Sequence, residues 1–142
     1  MSSRAIDERF GKFIAKHHVL TLATVGGDGM PWVANCFYAY DRKRNLFIFT
    51  SNRKTQHGSE MVHNSRVALS IVLETRIVGR IQGLQATGIA EEGDEEARRL
   101  YLKRFPYAVV ADLELWMVRP LRLKLTDNTL GFGKKLIWQS EE

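Results

Sequence analysis

Apolar positions along this chain fall into short runs of two periods, separated by glycines, prolines and charged clusters. Ile6, Phe10, Phe13, Ile14 and His17 recur every three or four residues, with Asp7, Glu8, Arg9 and Lys12 turned away. That spacing predicts an amphipathic helix over residues 5–17. A β-rich run follows over 19–25, then the turn Gly26-Gly27-Asp28-Gly29, which reads as a hairpin. The next strand, 31–40, is apolar on both parities: Trp32, Ala34, Cys36 and Tyr38 on one, Val33, Phe37 and Ala39 on the other. Its partner, 46–49, is apolar on both parities as well. Such strands are covered on both faces. In a chain this short, a closed barrel with a subunit partner against its outside would supply the second cover.

Further along, 55–64 reads as a helix, 67–73 as a short buried strand and 78–90 as a longer strand interrupted by Gly83 and Gly88. Glycines inside strands mark bends or bulges of the kind barrel closure needs. Residues 94–104 carry Asp94, Glu95 and Glu96 at the start, Lys103 and Arg104 at the end and Pro106 beyond, the charge order of a helix. The strand 113–126 ends with Leu121, Leu123 and Leu125 facing in and Arg122, Lys124 and Thr126 facing out, and Pro120 suits a bulge or an edge. Residues 130–138 close the chain, with Gly131 and Gly133 flanking Phe132. The expectation is a mainly β (α+β) fold of six strands and three helices. Hairpins join the first three strands, which disfavours a doubly wound sheet. No linker or repeat divides the chain, so residues 1–142 are read as one domain.

Composition narrows the function classes. Hydrophobic residues make up 44% and charged residues 26%, a globular balance. No apolar run is long enough to cross a membrane as a helix, and the N-terminus lacks a secretory pattern. One cysteine, Cys36, cannot form an internal disulfide, so the default location is cytoplasmic. The net charge of +5 permits anionic ligands, but the cations are scattered, which disfavours nucleic acid. The four histidines do not share a face or a ligand spacing, so no metal site is expected. Gly131-Phe132-Gly133-Lys134-Lys135 lacks the upstream glycine and the hydroxyl of a nucleotide loop. Cys36 reads as inert core.

The chemistry-bearing stretch is Phe49-Thr50-Ser51-Asn52-Arg53-Lys54-Thr55. A strand ends in two hydroxyls, two cations follow, and a helix begins. A helix N-terminus attracts anions, hydroxyls add donors, and an arginine grips a phosphate with two parallel hydrogen bonds. This order predicts a phosphate cradle. Asn35 and Gln82 or Gln85, polar inside β-runs, are candidates for the polar edge of a flat ring, and the aromatic strands before the turn for its floor.

Helix, strand, glycine turn, Pro-led strand, Phe49-Thr50-Ser51-Asn52-Arg53-Lys54, helix and Arg66-Val67-Ala68-Leu69-Ser70 together resemble the pyridoxamine 5'-phosphate oxidase-like superfamily of FMN-binding split barrels. The resemblance is clearest over residues 6–90. The ending Thr126-Asp127-Asn128-Thr129-Leu130-Gly131-Phe132-Gly133-Lys134-Lys135 with Trp138 is similar to a small bacterial branch of it. The resemblance implies a six-stranded antiparallel split β-barrel with flanking helices, and a homodimer holding FMN at its interface. Arg53 and Lys54 would contact the FMN phosphate, and Thr50 and Ser51 would donate hydrogen bonds nearby. Val33, Asn35 and Tyr38 would lie beside the isoalloxazine, and Phe49 would lead into the cradle. FMN, a small redox substrate and flavin oxidoreductase or flavin reductase chemistry follow as expectations. The alternative is a non-catalytic carrier of flavin or haem. No side chain is named as acid or base. The second strand lacks the oxidase's basic side chains and no C-terminal arginine segment matches, so vitamin B6 oxidation is disfavoured.

Overall fold

The computed structural model describes residues 5–131 and 133–142; Met1 to Arg4, and Phe132 between Gly131 and Gly133, lie outside the described residues. Helix α1 (Glu8–Lys16) starts at Asp7, whose carboxylate accepts the Arg9 N–H, and buries Phe10, Phe13 and Ile14. Strands β1 (Val19–Val25) and β2 (Pro31–Asp41) form the expected hairpin, with Gly29 in the left-handed region that the turn requires. Strand β3 (Leu46–Thr50) pairs back on β2, and α2 (Gln56–His63) leads to β4 (Arg66–Leu73), which returns to β1. Strand β5 (Gln82–Glu92), α3 (Glu95–Arg104), β6 (Leu115–Asp127) and β7 (Lys135–Gln139) complete the chain.

The strands run β3-β2-β1-β4-β5-β6-β7, all neighbours antiparallel, and a further β3–β6 pairing closes the first six into a barrel. The expected six-stranded antiparallel barrel is therefore present. A seventh strand lies outside its closure, because β6 is long enough to serve two partners. Residues 115–118 of β6 pair with β3, and residues 122–126 with β7. Between these halves the β5–β6 register slips at Thr87/Gly88, where Gly88 faces Pro120. Proline cannot donate to the ladder. A side chain on Gly88 would sit 2.6 Å from the Arg119 carbonyl oxygen, so the bulge needs glycine.

Two expectations change. Residues 78–80 form a 3-10 turn before β5 begins at Gln82, so the fifth strand starts later than its hydropathy implies. The second cover of β3 comes from within the chain. Alternation places Leu46, Ile48 and Thr50 on its outer face, where α3 packs Ala97 and Tyr101 against Leu46, Ile48, Ala39 and Met117. The inner face of the barrel holds Leu20, Leu22, Tyr38, Phe47, Phe49, Leu84 and Leu123, joined by the apolar side of α1. Arg104, the last residue of α3, donates to the carbonyls of Tyr38 (3.0 Å), Ala15 (3.2 Å) and His17, tying α3 to β2 and to the end of α1.

Candidate functional site

The outer wall of the barrel is bare where α3 stops. On the first half of β2 the outward residues are Val33, Asn35 and Phe37, with Val33 61% and Phe37 60% exposed. Val19, Thr21 and Ala23 on β1, Ala68, Ser70 and Val72 on β4, and Gln85 and Thr87 on β5 continue this surface. A groove of about 410 Å³ runs along it, floored by Ala23, Val33, Ala68 and Ala86 and edged by Arg122 and Lys124. Its polar groups converge. Thr21 Oγ1 donates to Asn35 Oδ1 at 2.9 Å, which leaves the Asn35 amide nitrogen to donate elsewhere. Ser70 and Gln85 face each other across the β4–β5 ladder beside the same floor.

The outward line of β2 leads to the predicted cradle, because Tyr38 pairs with Phe49 and Phe37 is therefore next to Thr50. The turn after Thr50 is tightly built. Ser51 N–H donates to the Glu114 carbonyl (3.1 Å), Trp116 Nε1 donates to the Ser51 carbonyl (3.0 Å), and the Lys54 N–H donates to Asn52 Oδ1 (2.8 Å). Thr55 caps α2 by accepting the Gly58 N–H (3.1 Å) and donates its own hydroxyl to the Asn52 carbonyl (2.6 Å). The turn lies so close on α2 that a side chain at Gly58 would overlap the Asn52 carbonyl and approach Ser51 Oγ to 3.0 Å. Ser51 is 3% exposed, and its Oγ is buried without a hydrogen-bond partner. A buried hydroxyl left unpaired costs about 1–3 kcal/mol unless a ligand or water meets it.

The two cations differ. The Arg53 guanidinium lies over the Trp116 ring at 5.5 Å and pairs with Glu92 and, at 3.5 Å, with Glu114. Lys54 is exposed, with no acid partner among the described residues. Arg53 is thus engaged by the end of β5 and the residues that open β6. His57, in the first turn of α2, has its pKa lowered by burial, against a weaker opposing pull from Glu60.

The sequence-derived site residues fall into three groups. Val33 and Asn35 share the outer wall. Thr50, Ser51, Arg53 and Lys54 occupy the strand end and its turn. Tyr38 and Phe49 lie inside the barrel at 0% exposure, Tyr38 donating to the Ile14 carbonyl at 2.5 Å, with burial raising its pKa. Their contribution is to fix the strands, since strand alternation turns them away from Asn35's face. Sequence reasoning did not name Thr21, Phe37, Ser70, Arg122 or Lys124 as site residues. The outward alternation of Arg122 and Lys124 was visible, but not the register that brings them beside β1 and β4. Beyond β6, Asn128 meets the 3-10 turn, donating from its backbone N–H to Ile81 O (3.1 Å) and from its side chain to Val78 O (3.0 Å), and accepts the Gly133 N–H (3.0 Å).

A family profile described as pyridoxamine 5'-phosphate oxidase matches residues 6–125. The chain belongs to the pyridoxamine 5'-phosphate oxidase family. A UPF0306 protein of Photorhabdus laumondii is 39% identical, the match covering 90% of this chain and 92% of the relative. Among solved structures, a haem-binding protein from Mycobacterium smegmatis aligns with TM-score 0.74 at 24% identity over 89% of this chain; the chain spans about half (54%) of that protein's length. A FAD-binding protein from Mesorhizobium loti aligns with TM-score 0.68 at 16% identity, covering 88% of this chain and 96% of that one. At these identities the structural likeness is one of fold, and the fold is the split barrel of the oxidase family.

Proposed function

We propose that this oxidase-family chain is a flavin oxidoreductase or flavin reductase that holds FMN between two copies of itself and acts on a small redox substrate. The observation that carries the reading is the unpartnered, buried Ser51 Oγ beside the start of α2, at the end of the exposed line Val33, Asn35, Phe37 and Thr50. A flavin needs an apolar floor for its ring, a few donors at the ring edge and an anion site for its phosphate. Val33, Ala23 and Ala68 supply the floor, the Asn35 amide and Gln85 the edge, and Ser51, Thr50 and Lys54 the anion site, with Arg53 joining by exchanging its carboxylates for phosphate. Bound FMN would supply the electron-transfer chemistry; the protein positions it and tunes its surroundings. A second copy over the bare wall would bury Val33 and Phe37 and exclude water from the groove.

Haem is the alternative, since the Mycobacterium smegmatis protein of the same fold is named for it. The groove lining contains no His, Cys, Met or Tyr among the described residues, the usual axial ligands of haem iron, so flavin comes first. A cytoplasmic location belongs to the same reading, the single cysteine being a buried free thiol.

The test is a visible spectrum of the purified protein with FMN and then a reduced nicotinamide, beside the Arg53→Ala/Lys54→Ala variant. The expected result is a bound flavin spectrum, bleached by the reductant, with affinity in the folded variant weaker by roughly 3 kcal/mol from lost charge-assisted hydrogen bonds. FMN bound without reduction would leave the carrier role. A protein that ignores FMN and develops a Soret band with haem would overturn the flavin assignment.

A further inference from the structure

A second hollow lies apart from the flavin groove, where α1, α3 and the end of β2 meet. It measures about 330 Å³, is floored by Ala15, Ala39 and Leu100, and is edged by Arg42, Lys103 and Arg104. Elsewhere the chain neutralises many of its own arginines: Arg9 with Asp7, Arg44 with Asp41 and Asp94, Arg53 with Glu92 and Glu114, Arg99 with Glu96, and Arg119 with Glu91 and Glu142. Around this hollow the pattern reverses. Arg104 gives its donors to the neutral carbonyls of Tyr38, Ala15 and His17, which fixes its position without cancelling its charge. Arg42 and Lys103 have no acid partner among the described residues, and no carboxylate lines the hollow. The acids on the three surrounding elements are otherwise placed. Asp41 on β2 is held by Arg44, Glu8 on α1 by Lys12, and Glu96 on α3 by Arg99; Glu95 stands at the opposite end of α3 from Lys103.

The helix opposite Arg42 makes room for it. Gly11 is buried in the middle of α1, and a side chain there would come within 2.8 Å of the Arg42 guanidinium. Glycine inside a helix costs about 1 kcal/mol relative to alanine. Here it lets a cation lie against the helix at the edge of an apolar hollow.

We propose that this hollow is a binding site for a small organic phosphate monoester. Its dianionic head sits between Arg42 and Lys103, within the field of the fixed Arg104, and its apolar body covers Ala15, Ala39 and Leu100. A guanidinium and an ammonium on one side of a hollow match a phosphate head by charge and geometry. The apolar floor selects an ester over the free ion. The site is independent of the flavin reading, since none of its lining residues lines the groove or belongs to the Ser51 turn.

The test is calorimetric titration of the full chain with phenyl phosphate, with inorganic phosphate and phenol as the head and body alone. Phenyl phosphate should saturate one site per chain, more tightly than inorganic phosphate, and phenol should not bind. Arg42→Gln and Lys103→Gln, each checked for an unchanged circular dichroism spectrum, should each weaken phenyl phosphate at least about tenfold. Arg53→Ala/Lys54→Ala should leave this binding in place, which separates the site from the flavin cradle. Unchanged affinity in the folded Arg42→Gln and Lys103→Gln variants, loss in the Arg53→Ala/Lys54→Ala variant, equal binding of phenol, or no saturable heat would each overturn the proposal. So would displacement by a single-stranded RNA oligomer with steep salt dependence, which would assign the cations to nucleic acid.

Discussion

The outer wall of this barrel has two halves with opposite fates. Over β3 and the start of β6, α3 lays Ala97 and Tyr101 on Leu46, Ile48 and Met117, and Ile48 reaches 0% exposure. Over the first half of β2 and neighbouring β1 and β4, Val33, Phe37, Val19 and Val72 stay 45–61% exposed, and Phe105 just beyond α3 meets only the edge of this surface, at the Phe37 ring (5.6 Å between centroids). Both halves carry apolar strand positions, with Thr21, Asn35 and Ser70 interleaved in the bare one. The difference is that α3 is ten residues long and anchored at both ends, at Asp94 by Arg44 and at Arg104 by three carbonyls, so it can reach only one half. An apolar wall that the chain could have covered and did not is the kind of surface kept for a ligand or a partner.

The comparison is tested most strongly by stability. Ile48→Ala should lower the unfolding free energy by about 2–5 kcal/mol, the usual cost of truncating a fully buried aliphatic side chain. Val33→Ala should change it by less than about 0.5 kcal/mol in the isolated chain. Denaturant titration of both variants reads the contrast directly, and equal losses would mean the two half-walls are not different. Association should show the opposite ranking. Val33→Asp places a charge on the bare wall and should weaken self-association at least about a hundredfold, some 2.7 kcal/mol, in sedimentation equilibrium. An unchanged association constant, or a wild type that does not associate, would remove the bare wall as a contact between copies.

The smallest effect concerns acid. The Arg44 hydrogen bond, together with the Ala97 N–H at the helix cap, holds the Asp94 carboxyl at about 2, below its ordinary 3.8. A carboxyl lowered on folding adds stability above its unfolded value and loses it as pH falls toward the folded one. With the side chain 45% exposed, solvent screening limits this to about 1 kcal/mol or less. Wild type should therefore lose that increment between about pH 4 and pH 2, relative to Asp94→Ala, which should lack it at every pH. Parallel stability profiles for the two proteins would remove Asp94 as the acid-sensitive anchor of α3.

Much of the fold was legible from the chain. The β1–β2 hairpin, all three helices and the bulge at Pro120 follow from glycine turns, capping residues and proline chemistry, each a local signal. The 3-10 turn at 78–80 was not legible, because Val78 and Ile81 are apolar and the turn is fixed by Asn128, about fifty positions away. The covering of β3 by α3 rather than by a partner was hidden for the same reason. At the candidate site the order of hydroxyls, cations and helix start was readable, whereas the unpartnered Ser51 and the engagement of Arg53 by Glu92 and Glu114 depend on register. Tyr38 and Phe49 show the limit of reading aromatics in a doubly apolar strand, since only the pairing tells which parity faces in.

The β3–β6 pairing has a consequence for how the molecule comes into being. Residues 47–50 find their partners at 115–118, so barrel closure joins segments far apart in sequence, and such contacts form late. Ser51 receives its backbone acceptor from Glu114 and its neighbouring indole from Trp116 only at that step. A nascent chain emerging from the ribosome could form its first hairpins early, yet the turn after β3 would have no floor until the last quarter of the protein had been made.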